Sequence, residues 1–104
     1  MEHIVVHDVG RELAKKATVA AMDHYAKKYA QYAPKMMWIR DYTADVGVHI
    51  KGISLDGKIE VREREIWMSL DIPFIFRPFR ARALAIIDRE IASWVARAKA
   101  GELD

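Results

Sequence analysis

The residues best suited to metal or proton chemistry in this chain are its four histidines. His3 and His7 stand four apart in a β-branched stretch that predicts a strand and its exit. A zinc pair at that spacing needs a helix to bring both rings to one side, so these two do not form one. His24 falls on an alanine-rich helical face and His49 in an alternating segment. For His7 and His24 the reading expects a capping or buried, hydrogen-bonded role. The chain has no cysteine, which excludes disulfides, thiol catalysis and thiolate ligands. Neither a metal nor a cofactor is expected, because nothing brings three ligands together.

Asp41, Asp45, Glu60 and Asp71 could in principle supply an acid/base pair. Such work needs one carboxyl in an apolar pocket that raises its pKa. These four instead belong to segments rich in other charges, where a solvated sheet face is expected. No catalytic residue is assigned. The stretch Gly52 to Gly57 lacks the lysine and hydroxyl of a phosphate loop and opens no helix, so it reads as a turn, with Gly52 and Asp56-Gly57 marking turn positions where positive φ is cheap. The aromatics Trp38, Tyr42 and Trp67 could stack on bases, and the pI is near 9.0. The segments carrying them are net acidic, however, so positive field and stacking rings lie on different layers. This disfavours nucleic acid. The same three aromatics are expected to form a face on which a second copy could dock.

Pro73-Phe74-Ile75-Phe76-Arg77-Pro78-Phe79-Arg80 is the least ordinary run. It has two readings. Its rings could plug the end of the core, or Phe74, Ile75, Phe76 and Phe79 with Arg77 and Arg80 could bind an apolar or amphiphilic surface or a partner. In the second case guanidinium groups would meet anionic head groups, and the two prolines would restrain the backbone.

Elements must position these groups. Ile59 and Val61, then Ile66, Met68, Leu70 and Ile72, recur at every second residue, the period of strands with one buried face. Arg62-Glu63-Arg64-Glu65 is charged and short enough to join them as a hairpin. After Pro73 the period becomes helical, with Phe79, Ala83, Ile87, Ile91, Trp94 or Val95, and Ala98 on one side of a helix of about five turns. Earlier, Asp8 is placed to N-cap a helix from near Gly10 to about Tyr32, ended before Pro34. Its expected stripe is Leu13, Ala17, Ala20, Ala21, His24 and Tyr25, with Lys15, Lys16, Lys27 and Lys28 toward water. Val46, Val48 and Ile50 alternate cleanly. Met36, Met37, Trp38 and Ile39 are all apolar and leave that strand's facing open.

The order β-α-β-β-β-β-α predicts an α+β fold, a four- or five-stranded antiparallel sheet with two helices packed on one face. With 104 residues and no repeat or linker, residues 1–104 are read as a single domain. The composition, 52% hydrophobic and 31% charged, is that of an ordinary globular protein. The basic charge is concentrated in the helical segments and the acidic charge in the strands. No apolar run approaches the about twenty residues of a membrane span, and the N-terminus has no signal-peptide pattern, so a cytoplasmic protein with no transmembrane segment is expected.

His7-Asp8-Val9-Gly10, Leu55-Asp56-Gly57-Lys58-Ile59-Glu60-Val61, Ile66 to Leu70 and the Pro-Phe entry to an amphipathic terminal helix form a pattern that covers residues 3 to 98. This pattern resembles the small polyhydroxyalkanoic acid system proteins, the polyhydroxyalkanoate granule region family of bacteria. The chain is longer than the family pattern between Asp41 and Gly47 and has Ser54 where the family has glycine. The register of the 36–52 hairpin therefore stays open.

The resemblance implies association with storage-polyester metabolism and carries no catalytic residue. It leads to a non-enzymatic protein bound to the granule surface or to another granule protein. The alternative is a small ligand-binding or hydrolytic domain with a pocket between helices and sheet. An apolar cavity with convergent polar groups would mark it.

Overall fold

The computed structural model describes residues 2–103. Its strands are β1 (Glu2–Val6), β2 (Lys35–Arg40), β3 (Thr43–Ile50), β4 (Ile53–Val61) and β5 (Glu65–Leu70), and its helices are α1 (Arg11–Lys28) and α2 (Arg80–Lys99). Short 3-10 segments lie at Ala30–Tyr32 and Phe74–Phe79. The α+β order is the one expected, and the sheet has five strands. All neighbours are antiparallel in the order β1-β5-β4-β3-β2, which makes β4 the central strand.

The period-2 apolar positions meet across the strands. Ile59 lies opposite Met68 on one side and Ala44 on the other, and Val61 and Val5 both lie opposite Ile66. Beneath α1 and α2 these residues close a core of Ala14, Val61, Ile66, Met68 and Ile91. Ile59, Ile87, Val5, Val9, Val95, Trp38 and Tyr42 pack around it. Leu70, expected in that core, is only half-buried at the strand's end. The helices pack on each other and run antiparallel. Trp94 lies beside His24, and Lys99 reaches Asp8 ahead of α1.

Several local expectations are corrected. The buried residues of α1 are Ala14, Ala17, Thr18 and Ala21, while His24 is exposed. Small residues at the contact let the helix sit close to the sheet. Thr18 satisfies its buried hydroxyl by donating to the Ala14 carbonyl at 2.8 Å. α1 ends at Lys28, four residues before Tyr32. Asp8 does not cap it, because its carboxylate accepts from Lys99 Nζ at 2.7 Å. That neighbour holds the Asp8 carboxyl below the usual range. His7 is buried as expected, with Nε2 3.0 Å from the Arg62 carbonyl oxygen.

Asp56-Gly57 is not a turn, since β4 runs straight through it. The β3–β4 reversal is made by Lys51 and Gly52, both in the left-handed region at φ 53° and 78°. Two such residues suit a two-residue hairpin. Gly57 is required for another reason. A Cβ there would lie 2.5 Å from the Ser69 carbonyl oxygen and 2.8 Å from Leu70 Cδ2.

Candidate functional site

Pro73 is extended, at φ −58° and ψ 150°, and takes the chain off the end of β5. The Pro73 carbonyl then accepts from the Phe76 N–H at 2.9 Å, and the Arg77 carbonyl accepts from the Arg80 N–H. Two prolines and these bonds shape the run into a tight turn leading into α2. Its element-level neighbour is α2 rather than the sheet. Phe74 and Phe79 therefore do not plug the core. Phe74 is 81% exposed, Ile75 65% and Phe79 60%, with Phe76 half-buried.

Charge at this corner runs against the usual helix pattern. Helix N-termini favour carboxylates, since the first amide groups leave a partial positive charge there. The first turn of α2 has no acid; Arg77, Arg80 and Arg82 surround it instead, all exposed. Between Asp71 and Asp88 the sequence has no acidic residue. The Arg77 guanidinium lies 5.9 Å from the Phe74 ring centroid, so cation and ring share one surface. Phe74, Ile75, Arg77 and Pro78 line an open depression. The six residues singled out in the sequence thus lie together. Arg82 extends their basic side, and it could have been found by asking which charges oppose the helix dipole.

The aromatic trio does not lie together. Trp38 and Tyr42 pack against the core beneath α1, where Lys15 Nζ lies 4.5 Å and 5.5 Å from their ring centroids. Trp67 alternates with the buried Ile66 and Met68 and so faces the opposite side of the sheet, under the Arg62 guanidinium at 5.6 Å. The sequence reading also leaves out Ile4, Val6, Met37 and Ile39, which are exposed on that helix-free side. The runs Ile4-Val5-Val6 in β1 and Met36-Met37-Trp38-Ile39 in β2 are apolar throughout, so no alternation could have found them.

Among the described residues no group of three or more histidines and carboxylates is placed to hold a metal ion. His3 Nε2 instead meets Asp88 Oδ1 at 2.6 Å, which ties β1 to α2, and His49 Nδ1 lies 3.0 Å from Ser54 Oγ. Two further depressions lie on the surface. One is beside α1, lined by residues that include Lys16, Asp23 and Leu103, and the other is on the helix-free face, by Asp45, Asp56 and Asp71. The first also meets Tyr42 of the β2–β3 turn and so opens at the edge between α1 and the sheet, whereas the second touches no helix. No helix of the described residues is long and apolar enough to cross a membrane.

Comparison with curated proteins and with solved structures gives no match. Comparison with family profiles matches residues 4–94 to the family described as putative polyhydroxyalkanoic acid system protein. That span takes in β1 from Ile4, all of α1 and of β2 to β5, and the aromatic turn, together with α2 as far as Trp94. The chain belongs to the polyhydroxyalkanoic acid system protein family.

Proposed function

We propose that this protein is a non-enzymatic accessory of polyhydroxyalkanoate metabolism in the cytoplasm that docks on the storage granule, on its surface or on a granule protein, through the Phe74–Phe79 turn and the first turn of α2. The supporting observation is the exposure of Phe74, Ile75 and Phe79 beside Arg77, Arg80 and Arg82. Each apolar side chain could remove on the order of 100 Å² from water, worth about 2.5 kcal/mol. An arginine adds about 1 kcal/mol where the surface is anionic. The prolines and backbone bonds hold the turn in shape before contact, so little ordering entropy is lost on docking.

Purified protein is mixed with vesicles of phosphatidylglycerol and phosphatidylcholine, and separately with isolated granules. Phe74→Ser and Arg77→Glu each weaken association, and added salt erases the Arg77→Glu difference but not the Phe74→Ser one. Binding to granules without binding to vesicles assigns the contact to a granule protein. A folded double variant that binds both as well as the parent would refute the reading.

A further inference from the structure

We infer that the partner of the aromatic turn is an anionic phospholipid surface and that α2 lies along it, with Arg82, Arg89 and Arg97 on the head groups while Phe74, Ile75 and Phe79 enter the apolar phase. The inference rests on the docking reading above and extends it by naming the partner and the orientation.

The core side of α2 is the stripe of Ile87, Ile91, Val95 and Ala98. At 3.6 residues per turn the opposite side is Phe79, Arg82, Ile86, Arg89 and Ser93, spaced by alternate steps of three and four. Phe79 belongs to this series because its own backbone is helical, at φ −95° and ψ −1°. Ile86 is half-buried and the other four are exposed. The last residue of the aromatic turn is therefore the first of an outer ridge that continues to Arg97. At the helical rise the ridge is roughly 27 Å long.

The ridge is basic and open. Arg80, Arg82 and Arg89 form no ion pair among the described residues. The two acids of α2 lie on other sides. Asp88 meets His3 of β1 at 2.6 Å, and Glu90 is half-buried one turn before Trp94, on the side that meets His24 of α1. Each end of the ridge has a guanidinium beside an aromatic ring. Arg77 lies 5.9 Å from the Phe74 ring centroid, and Arg97 lies 4.6 Å from that of Trp94. Cations paired with rings in this way suit the boundary between head groups and acyl chains.

Other surfaces of the molecule lack this combination. The outer side of α1 sets Glu12 with Lys16 and Asp23 with Lys27, each pair four residues apart, so its charges cancel. On the helix-free face Asp56, Lys58, Glu60 and Arg62 alternate in sign along β4 and its exit, with Asp45 and Asp71 beside them. An anionic surface therefore turns the molecule with α2 toward it and the sheet away. A nucleic acid would satisfy the arginines but offers no apolar phase to Phe74, Ile75 and Phe79, which share their surface.

The chain has no cysteine, so a single introduced cysteine can carry an environment-sensitive fluorophore. Full-length protein labelled at Ser93→Cys on the ridge, or at Ser54→Cys on the helix-free face, is mixed with vesicles of phosphatidylglycerol and phosphatidylcholine in equal parts. The Ser93 probe should shift to the blue and the Ser54 probe should not. In unlabelled protein Arg89→Glu should weaken vesicle binding roughly fivefold or more, the loss expected for a basic group at an anionic surface. Lys35→Glu makes the same charge change on the helix-free face and should leave binding within about twofold. A silent Ser93 probe, a Ser54 probe that shifts as much, or an Arg89→Glu loss no greater than that of Lys35→Glu would overturn the orientation. If Phe74→Ser still weakens binding in that case, the docking turn stands without it. A parent that ignores these vesicles overturns the lipid partner. An Arg89→Glu loss seen on duplex DNA and not on vesicles overturns it as well and assigns the ridge to nucleic acid.

Discussion

Gly57→Ala adds one methyl group to the middle of the central strand. Its Cβ would sit 2.5 Å from the Ser69 carbonyl oxygen, 2.8 Å from Leu70 Cδ2 and 3.4 Å from Leu70 Cα. The leucine methyl can turn away, but the carbonyl belongs to the backbone of β5. Relief therefore means moving β5 off β4 where Gly57 lies opposite Leu70. Overpacking of this kind costs about 1 to 3 kcal/mol. Against it stands a gain of about 0.4 to 1 kcal/mol from the stiffer unfolded chain, available because Gly57 is not in the left-handed region. The net expectation is a loss of about 1 to 2 kcal/mol, or a fall in Tm of roughly 4 to 15 °C for a domain of this size. Urea denaturation followed by far-UV circular dichroism should show a lower midpoint at unchanged slope. Gly52→Ala is the control. It meets open space but must hold φ 78°, so its cost of about 1 kcal/mol comes from the backbone alone. If Gly57→Ala were as stable as the parent, the close approach of β5 to β4 would be wrong and Asp56-Gly57 would again be open to a turn.

Three further outcomes can be measured. Ile66→Ala, at a fully buried position near the start of β5, should cost about 2 to 5 kcal/mol in the same urea assay. Tyr25 has a buried hydroxyl without a hydrogen-bond partner among the described residues, and burial pushes its pKa from 10.0 up to about 12. The folded form therefore holds its proton longer than the unfolded one, so stability falls as pH rises from about 10 to 12, and Tyr25→Phe should flatten that decline at little cost near neutrality. Asp8 titrates below its unfolded value of 3.8 because of Lys99. Its contribution is present above that pH and is lost as pH falls through the folded value, and Asp8→Asn removes this part of the acid dependence in a pH-resolved melt.

The alternation of Ile59, Val61, Ile66 and Met68 was legible before any coordinates, because a strand with one buried face leaves a period of two. Together with the helical period after Phe79, it determined the element order and the pairing of β4 with β5. The basic aromatic turn was legible as an unusual run, since two prolines bracketing two phenylalanines, an isoleucine and an arginine have few local uses. Whether those rings lay in the core was not, because a plug and a surface anchor share one composition. Only the departure of the chain from the end of β5 onto the start of α2 decided it.

The same limit separated Trp38 and Tyr42 from Trp67. Four successive apolar residues in β2 carry no period, so facing there came from the register with β3 and the cover of α1. Asp8 and Gly57 show a further limit. Local propensity favoured a cap and a turn, but a lysine 91 residues away and a carbonyl on the next strand claimed those positions. The alternating charges of β4 were written in the sequence throughout. They became a surface only when the tertiary structure put both helices on one side and left the other side bare. Local periods follow from backbone geometry within a few residues, whereas burial and partnership depend on which distant segment arrives, and that is decided by the packing of the whole chain.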